Sequence, residues 1–296
     1  MKFGVREICD VVFKAKADTR IGSRVFKKGQ PVLFIDSAKT STIEGAATTV
    51  YAQGGKGNAR LIAWEGEKTL TFTVEDALLS PIGFSVLSGA GLIKGGEDEL
   101  VHVHKTATVL VDDNGTIDLS EVLGKEEVID AEAPVNVIVM EDGDFGATIE
   151  GLTVDGQSLT GATEEYRNIN AFVDFYITKK SAKVSELQID AANFAGYYYV
   201  EASTLFRRQS DGVDMPAEIT LPNVKIQSNF TFSMAPTGDP STFTFTMDAF
   251  PGYTVFEPTK KVLCVIQVVE DPEADDAEVK SVMANHKGEA QEEVQG

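Results

Sequence analysis

Apolar and polar side chains alternate along much of this chain. Across residues 68–74, Leu70, Phe72 and Val74 fall on one face and threonines on the other, the period of two that a half-buried strand requires. The same grammar returns at 229–234 and 242–247, where Phe, Thr, Ser and Met follow one another without a charge, so both are predicted strands. With so little charge to guard it, an exposed edge at 242–247 is expected to pair with a defined partner. Further strands are predicted at 31–36, 60–64, 100–111, 135–140, 171–178, 197–201, 217–219, 224–227 and 262–269.

Turn chemistry separates these runs. Asp112-Asp113-Asn114-Gly115 and Val154-Asp155-Gly156-Gln157 predict hairpins, because Asn-Gly and Asp-Gly tolerate the positive φ of tight turns. The one convincing helix spans 80–88, with Ser80 as cap, Pro81 at its first position and Gly89 to stop it. A single helical turn is predicted at 120–123.

Two regions differ from the rest. Between Gly95-Gly96 and Thr160-Gly161 the sequence turns to short Val, Ile, Asp and Glu segments, which predicts an inserted small β module at 95–161. The main β domain is then discontinuous, 1–94 and 162–270. After Asp271 periodicity disappears and carboxylates gather, which predicts a flexible acidic tail over 271–296. No internal repeat at a fixed period is visible.

Composition narrows the partners. At 296 residues, with 43% hydrophobic and 24% charged side chains, the chain has the make-up of a folded protein. Its 46 acidic against 26 basic residues give a net charge of −20, which repels phosphate and disfavours both nucleic-acid binding by counterion release and anionic lipid surfaces. Residues 1–20 mix charges without the apolar core of a secretory signal, and the uncharged stretch 77–93 falls short of a membrane helix. Cys9 and Cys264 are read as two buried thiols without a disulfide.

Candidate chemistry is thin. His102 and His104 share a strand face but lack a third ligand, since His286 sits in the acidic tail; surface histidines are the expectation. From Leu110 to Glu121, six residues (Asp112, Asn114, Gly115, Ile117, Asp118 and Glu121) match positions three, five, six, eight, nine and twelve of a calcium loop. The first position, which should supply a carboxylate, is Leu110, so a hairpin turn is favoured. Gly54-Gly55-Lys56-Gly57 lacks the Lys-Ser/Thr and following helix of a phosphate loop, and no Gly-x-Ser-x-Gly elbow occurs. The expectation is therefore no catalytic residue, no cofactor and no metal.

Residues 51–81, running from Tyr51-Ala-Gln-Gly-Gly-Lys-Gly through Glu65-Gly-Glu-Lys-Thr-Leu-Thr-Phe72 to Pro81, resemble the tail tube proteins of tailed bacteriophages, of the contractile-tail type. Residues 222–249 are similar to the paired strands that close the same barrel. The resemblance implies a mainly β fold, a two-sheet barrel or sandwich with one short helix, here carrying the 95–161 module as an outward-facing insertion. It implies hexameric rings stacked into a tube that delivers the genome, located in the virion tail after assembly in the host cytoplasm. It also implies copies of itself, tail sheath, baseplate and terminator proteins as partners, with double-stranded DNA passing unbound and no membrane insertion. Residues 37–65 match the long loop that reaches toward the adjacent ring; Gly54, Gly55, Lys56, Gly57, Asn58, Arg60 and Trp64 are its candidate assembly residues. Leu70, Phe72, Val74, Phe243, Phe245 and Met247 are candidates for the strands that join neighbouring subunits. Other readings are a capsid decoration or other virion protein, an enzyme of unrecognised type, or a carbohydrate-binding β module, for which Tyr197-Tyr198-Tyr199 is the aromatic cluster.

Overall fold

A computed structural model describes residues 2–5, 7–22, 24–94, 101–179, 184–231, 234 and 242–270. In chain order the strands are β1 (Phe3–Val5), β2 (Asp10–Ala15), β3 (Thr19–Ile21), β4 (Arg24–Phe26), β5 (Pro31–Ile35), β6 (Ala38–Gly54) and β7 (Ala59–Asp76). Helix α1 (Pro81–Ser88) follows, then β8 (Gly91–Lys94), β9 (Val101–Leu110), β10 (Thr116–Asp118), β11 (Asn136–Glu141), β12 (Asp144–Thr148), β13 (Thr153–Asp155) and β14 (Ser158–Thr160). The last are β15 (Asn170–Lys179), β16 (Ser185–Gln188), β17 (Tyr197–Arg208), β18 (Asp214–Ile226), β19 (Phe243–Ala249) and β20 (Val265–Val268). The fold is mainly β, as the alternation predicts. The chain divides into two compact units, Met1–Leu92 with Leu187–Gly296, and Ile93–Glu186.

The first unit is built on a nine-stranded antiparallel sheet in the order β5-β2-β17-β18-β19-β7-β6, with β1 also on β17 and β20 also on β18. The short strands predicted at 217–219 and 224–227 are one strand, β18. Its pairing with β17 shifts between Leu221 and Val224, so Pro222, which has no N–H to give a ladder, sits in a bulge. The Lys16 ammonium supports that bulge by donating to the Pro222 carbonyl (3.1 Å) and to Asn223 Oδ1 (2.7 Å).

Phe13, Phe72, Val74, Val200, Phe245 and Met247 are fully buried in one core. Phe13 lies on β2 and Phe245 on β19, three strand positions apart, a separation of about 14 Å in a flat sheet. Their ring centroids are 5.9 Å apart, so the sheet is rolled around its core. Helix α1 begins and ends as the sequence predicts: Ser80 Oγ accepts from Gly83 N at 2.9 Å, Pro81 opens the helix, and Gly89 closes it at φ 75°. A Cβ at Gly89 would collide with the Phe194 carbonyl and lie 2.7 Å from Ala195 N, so only glycine fits. The strand predicted at 229–234 is absent over Asn229–Thr231, where Phe230 packs edge-on against Phe84 at 4.9 Å; its other residues, except Met234, lie outside the described chain.

The second unit holds a four-stranded sheet, β12-β11-β15-β9, and a three-stranded sheet, β10-β14-β13, around Val111, Ile117, Leu159, Val173, Phe175 and Ile177. Whereas the composition shift ends at 161, this unit runs to Glu186. Strand β15 is the reason: it pairs with β9 from Lys179↔Val101 to Asn170↔Leu110 and with β11 on its other side, so a module ending at 161 would lose the ladder that holds β9 in the sheet and leave β11 with β12 alone. The two predicted turns form, with Gly115 at φ 77° and Gly156 at φ 62°. At 120–123 the predicted single turn forms without continuing into a helix: Val122 N and Leu123 N both donate to the Leu119 carbonyl, the second being the i→i+4 bond of one helical turn.

Glu127 ties this unit together by accepting from Lys105 (2.7 Å), Lys179 (2.6 Å) and Gly124 N (3.1 Å). Those bonds, Lys105 first, pull its pKa from an ordinary 4.5 to about 2. A pKa depressed on folding contributes stability in full above pH 4.5, and that contribution is lost as pH falls through about 2. Glu127→Gln is therefore expected to destabilise the protein at pH 7 and to lose its difference from wild type between pH 4.5 and 2, read as converging urea midpoints.

Candidate functional site

Strands β6 and β7 form a hairpin far longer than the core needs. Near its base Phe72, Val74 and Asp76 are buried, but from Glu44 to Val50 on β6 and from Ala59 to Thr69 on β7 nearly every residue is exposed. The segment 37–65, matched above to a long loop, is thus most of a two-stranded arm closed by the four residues Gly55–Asn58. Three of those four have positive φ (Gly55 78°, Gly57 90°, Asn58 49°), which the glycine-rich sequence permits. Asn58 N donates to the Gly55 carbonyl (3.2 Å) and Asn58 Nδ2 to Gln53 Oε1 (3.2 Å), while Lys56 occupies the tip.

The register decides what the arm displays. Gly45↔Leu70 and Ile43↔Phe72 place the apolar side chains of the base on the core face. Between Ala47↔Lys68 and Thr49↔Glu65 the ladder shifts, because β7 spends three residues against two on β6. At that bulge Glu67 N donates to Thr48 Oγ1 (2.9 Å), and a Cβ on Gly66 would meet the same oxygen at 2.5 Å. An extra residue inverts the faces of everything beyond it. Val50↔Trp64 and Ala52↔Ile62 therefore lie on the face opposite the core, with Val50 63%, Ile62 55% and Trp64 53% exposed. The other face carries Thr49, Ala63, Glu65 and Tyr51, over whose ring the Arg60 guanidinium sits at 4.1 Å.

The seven predicted assembly residues, Gly54, Gly55, Lys56, Gly57, Asn58, Arg60 and Trp64, all fall in the distal half of this arm, with Trp64 on its apolar face and Arg60 on the other. Val50, Ile62 and Tyr51 belong with them but escaped the sequence reading, because β6 is built of Ala, Thr and Gly and shows no clean alternation. The six residues proposed for intersubunit strands sit elsewhere. Phe72, Val74, Phe245 and Met247 are fully buried, and Leu70 and Phe243 pack against the same core. Strand β7 is paired on both sides, and β19 pairs with β7 and, through Met247–Ala249, with β18. Of residues 242–247, Phe245 and Met247 are buried, Thr244 is exposed and the others are half-buried, so the stretch is a core strand with one covered face. The path of paired strands ends instead at β5 and β6, and β6 offers an edge 17 residues long.

The remaining candidates resolve into structural roles. His102 Nδ1 is 3.1 Å from Asp130 Oδ2 and His104 Nε2 is bonded to Asp174, so each imidazole has its own carboxylate; among the described residues no group of three or more His, Cys, Asp or Glu could hold a metal. Asp112 Oδ1 accepts from Asn114 N (2.8 Å) and Thr116 N (2.6 Å), and Asp118 Oδ1 from Ser120 N (2.9 Å): the carboxylates of the near-calcium loop cap turns. Backbone bonds, that of Thr116 first, hold the Asp112 carboxyl below its usual range. Of the tyrosine cluster, Tyr198 is in the core and its pKa is pushed up to about 12 by burial, Tyr199 is half-buried and Tyr197 is 49% exposed. Both cysteines are free; Cys9 is buried and Cys264 half-buried, and burial raises both thiols.

A family model described as YomU/Tube protein family matches residues 4–257. No curated protein matches the chain.

Proposed function

The chain belongs to the YomU/Tube protein family of phage tail tube-type structural proteins, which places it in the virion tail, and we propose that it works as a hollow polymer of stacked rings, six subunits to a ring, through which the genome is delivered. The observation that carries this reading is the β6–β7 arm. Its register turns Val50, Ala52, Ile62 and Trp64 away from the core that the base of the hairpin joins, and among the described residues Val50, Ile62 and Trp64 stand more than half exposed, a face that a second molecule would bury. An arm that docks on a different surface of an identical chain makes a heterologous contact, the kind that propagates. The long edge of β6 gives a neighbour within the ring a ladder to extend. A net charge of −20 lets DNA slide through without being held. Sheath, baseplate and terminator proteins are the partners that a contractile tube of this kind engages.

Negative-stain microscopy of the purified full chain is expected to show rings or hollow tubes. A species of one-chain mass in sedimentation velocity, unchanged up to the highest soluble concentration, would overturn the reading.

A further inference from the structure

In a protein with twenty excess negative charges, four lysines converge on one cavity of about 760 Å³ in the first unit. Lys14, Lys16, Lys28 and Lys261 line it together with Tyr199 and Tyr253. Pro222, in the bulge of β18, also lines it, and so do Pro251–Val255 of the loop that runs to Lys261. That loop is seated by Gly252, whose N–H and carbonyl both bond to Val262 and whose Cβ, were there one, would lie 2.9 Å from the Asn223 Cβ.

Among the described residues Lys14 is ion-paired with Glu201, whereas no ion pair involves Lys16, Lys28 or Lys261. Burial, and then the neighbouring charge of Lys28, lower the proton affinity of the Lys16 ammonium. Two ring faces already serve cations, with Lys261 5.5 Å from the Tyr253 centroid and Lys14 6.0 Å from that of Tyr199. The cavity therefore combines unneutralised positive charge with apolar walls, which suits carboxylates carried on a peptide that also offers small apolar residues.

We infer that this cavity is the docking site for residues 271–278 of the same chain. The segment reads Asp-Pro-Glu-Ala-Asp-Asp-Ala-Glu, five carboxylates and no cation, with alanine and proline between them. Its attachment is close. Val269 N donates to the Pro216 carbonyl at 2.9 Å, and Pro222, in the cavity wall, lies six residues along the same strand, about 20 Å away. Strand β20 is antiparallel to β18 and leaves it heading away from Pro222, so the chain has first to double back; about two residues for the reversal and about six for the span bring the end of the segment, Asp276-Ala277-Glu278, to the lysines. A tether this short holds the carboxylates at millimolar effective concentration, where even weak ion pairing fills the site. The inference concerns the isolated subunit and does not depend on polymerisation.

Zero-length carbodiimide coupling of the full chain, diluted so that it does not polymerise and mixed one to one with isotope-labelled chain, tests it by mass spectrometry. The expected result is amide links from Lys28 or Lys261 to carboxylates within 271–278, joining light to light and heavy to heavy. They should fall at least tenfold in full-length Lys28→Glu/Lys261→Glu, whose circular dichroism matches wild type. Links to Glu65 or Glu67 of a second chain, mixed light–heavy links to 271–278, or no enrichment over the lysines Lys39 and Lys125 outside the cavity would each overturn it.

Discussion

Ile62→Glu combined with Trp64→Glu is expected to leave the subunit folded and to abolish polymerisation. Both side chains stand more than half exposed on the arm, so the monomer should keep its stability to within about 0.5 kcal/mol. In the polymer each loses the burial of a large apolar side chain, about 1.5–3 kcal/mol, and two such losses raise the critical concentration at least 100-fold. Pelleting assays against protein concentration read the second effect and urea unfolding the first. Trp64 is the single tryptophan of the chain, so its emission in the wild type reports the arm directly and should shift to the blue on assembly. Wild-type polymers from the double variant at wild-type concentration would show that this face does not bind a neighbour. Thr69→Glu, on the same outward face but nearer the base, is the control expected to polymerise.

The arm also marks the limit of what the sequence discloses. Its tip was legible, because Gly-Gly-Lys-Gly-Asn between two strand-forming runs demands a turn with positive φ. Its display face was not. Ile62, Trp64, Leu70, Phe72 and Val74 are all even-numbered, and read at period two they form one stripe; the bulge at Gly66–Glu67 splits them onto opposite faces. A bulge leaves little trace in a single sequence beyond a glycine, and the oxygen that fills its space comes from Thr48, on the other strand. Helix α1 was legible residue by residue because cap, proline and stop are local signals. The extent of the second unit was not, because β15 belongs to it through pairing with β9, from Asn170↔Leu110 to Lys179↔Val101, 60 to 78 positions apart, and long-range ladders are invisible to composition. The absence of charge from 242–247 admitted two meanings, a sticky edge or a core strand, and only the pairing with β7 and the burial of Phe245 and Met247 decide for the core.

That decision has a measurable consequence, since an intersubunit strand and a core strand answer differently to truncation. Phe245 is fully buried where the rolled sheet brings β19 against β2, with Phe13 at 5.9 Å. Phe245→Ala removes most of that contact and leaves a cavity that closely packed strands cannot fill, a cost of about 3–5 kcal/mol. The expected result is a large drop in the urea midpoint of the dilute, unpolymerised subunit, followed by far-UV circular dichroism because the lone tryptophan lies outside the core. Phe256→Ala, at a ring 94% exposed, is the matched control and should stay within about 0.5 kcal/mol. If Phe245→Ala instead costs under about 1 kcal/mol in the subunit and acts only on polymerisation, then Phe245 serves an interface and the sheet does not close on itself in the way the Phe13 contact requires.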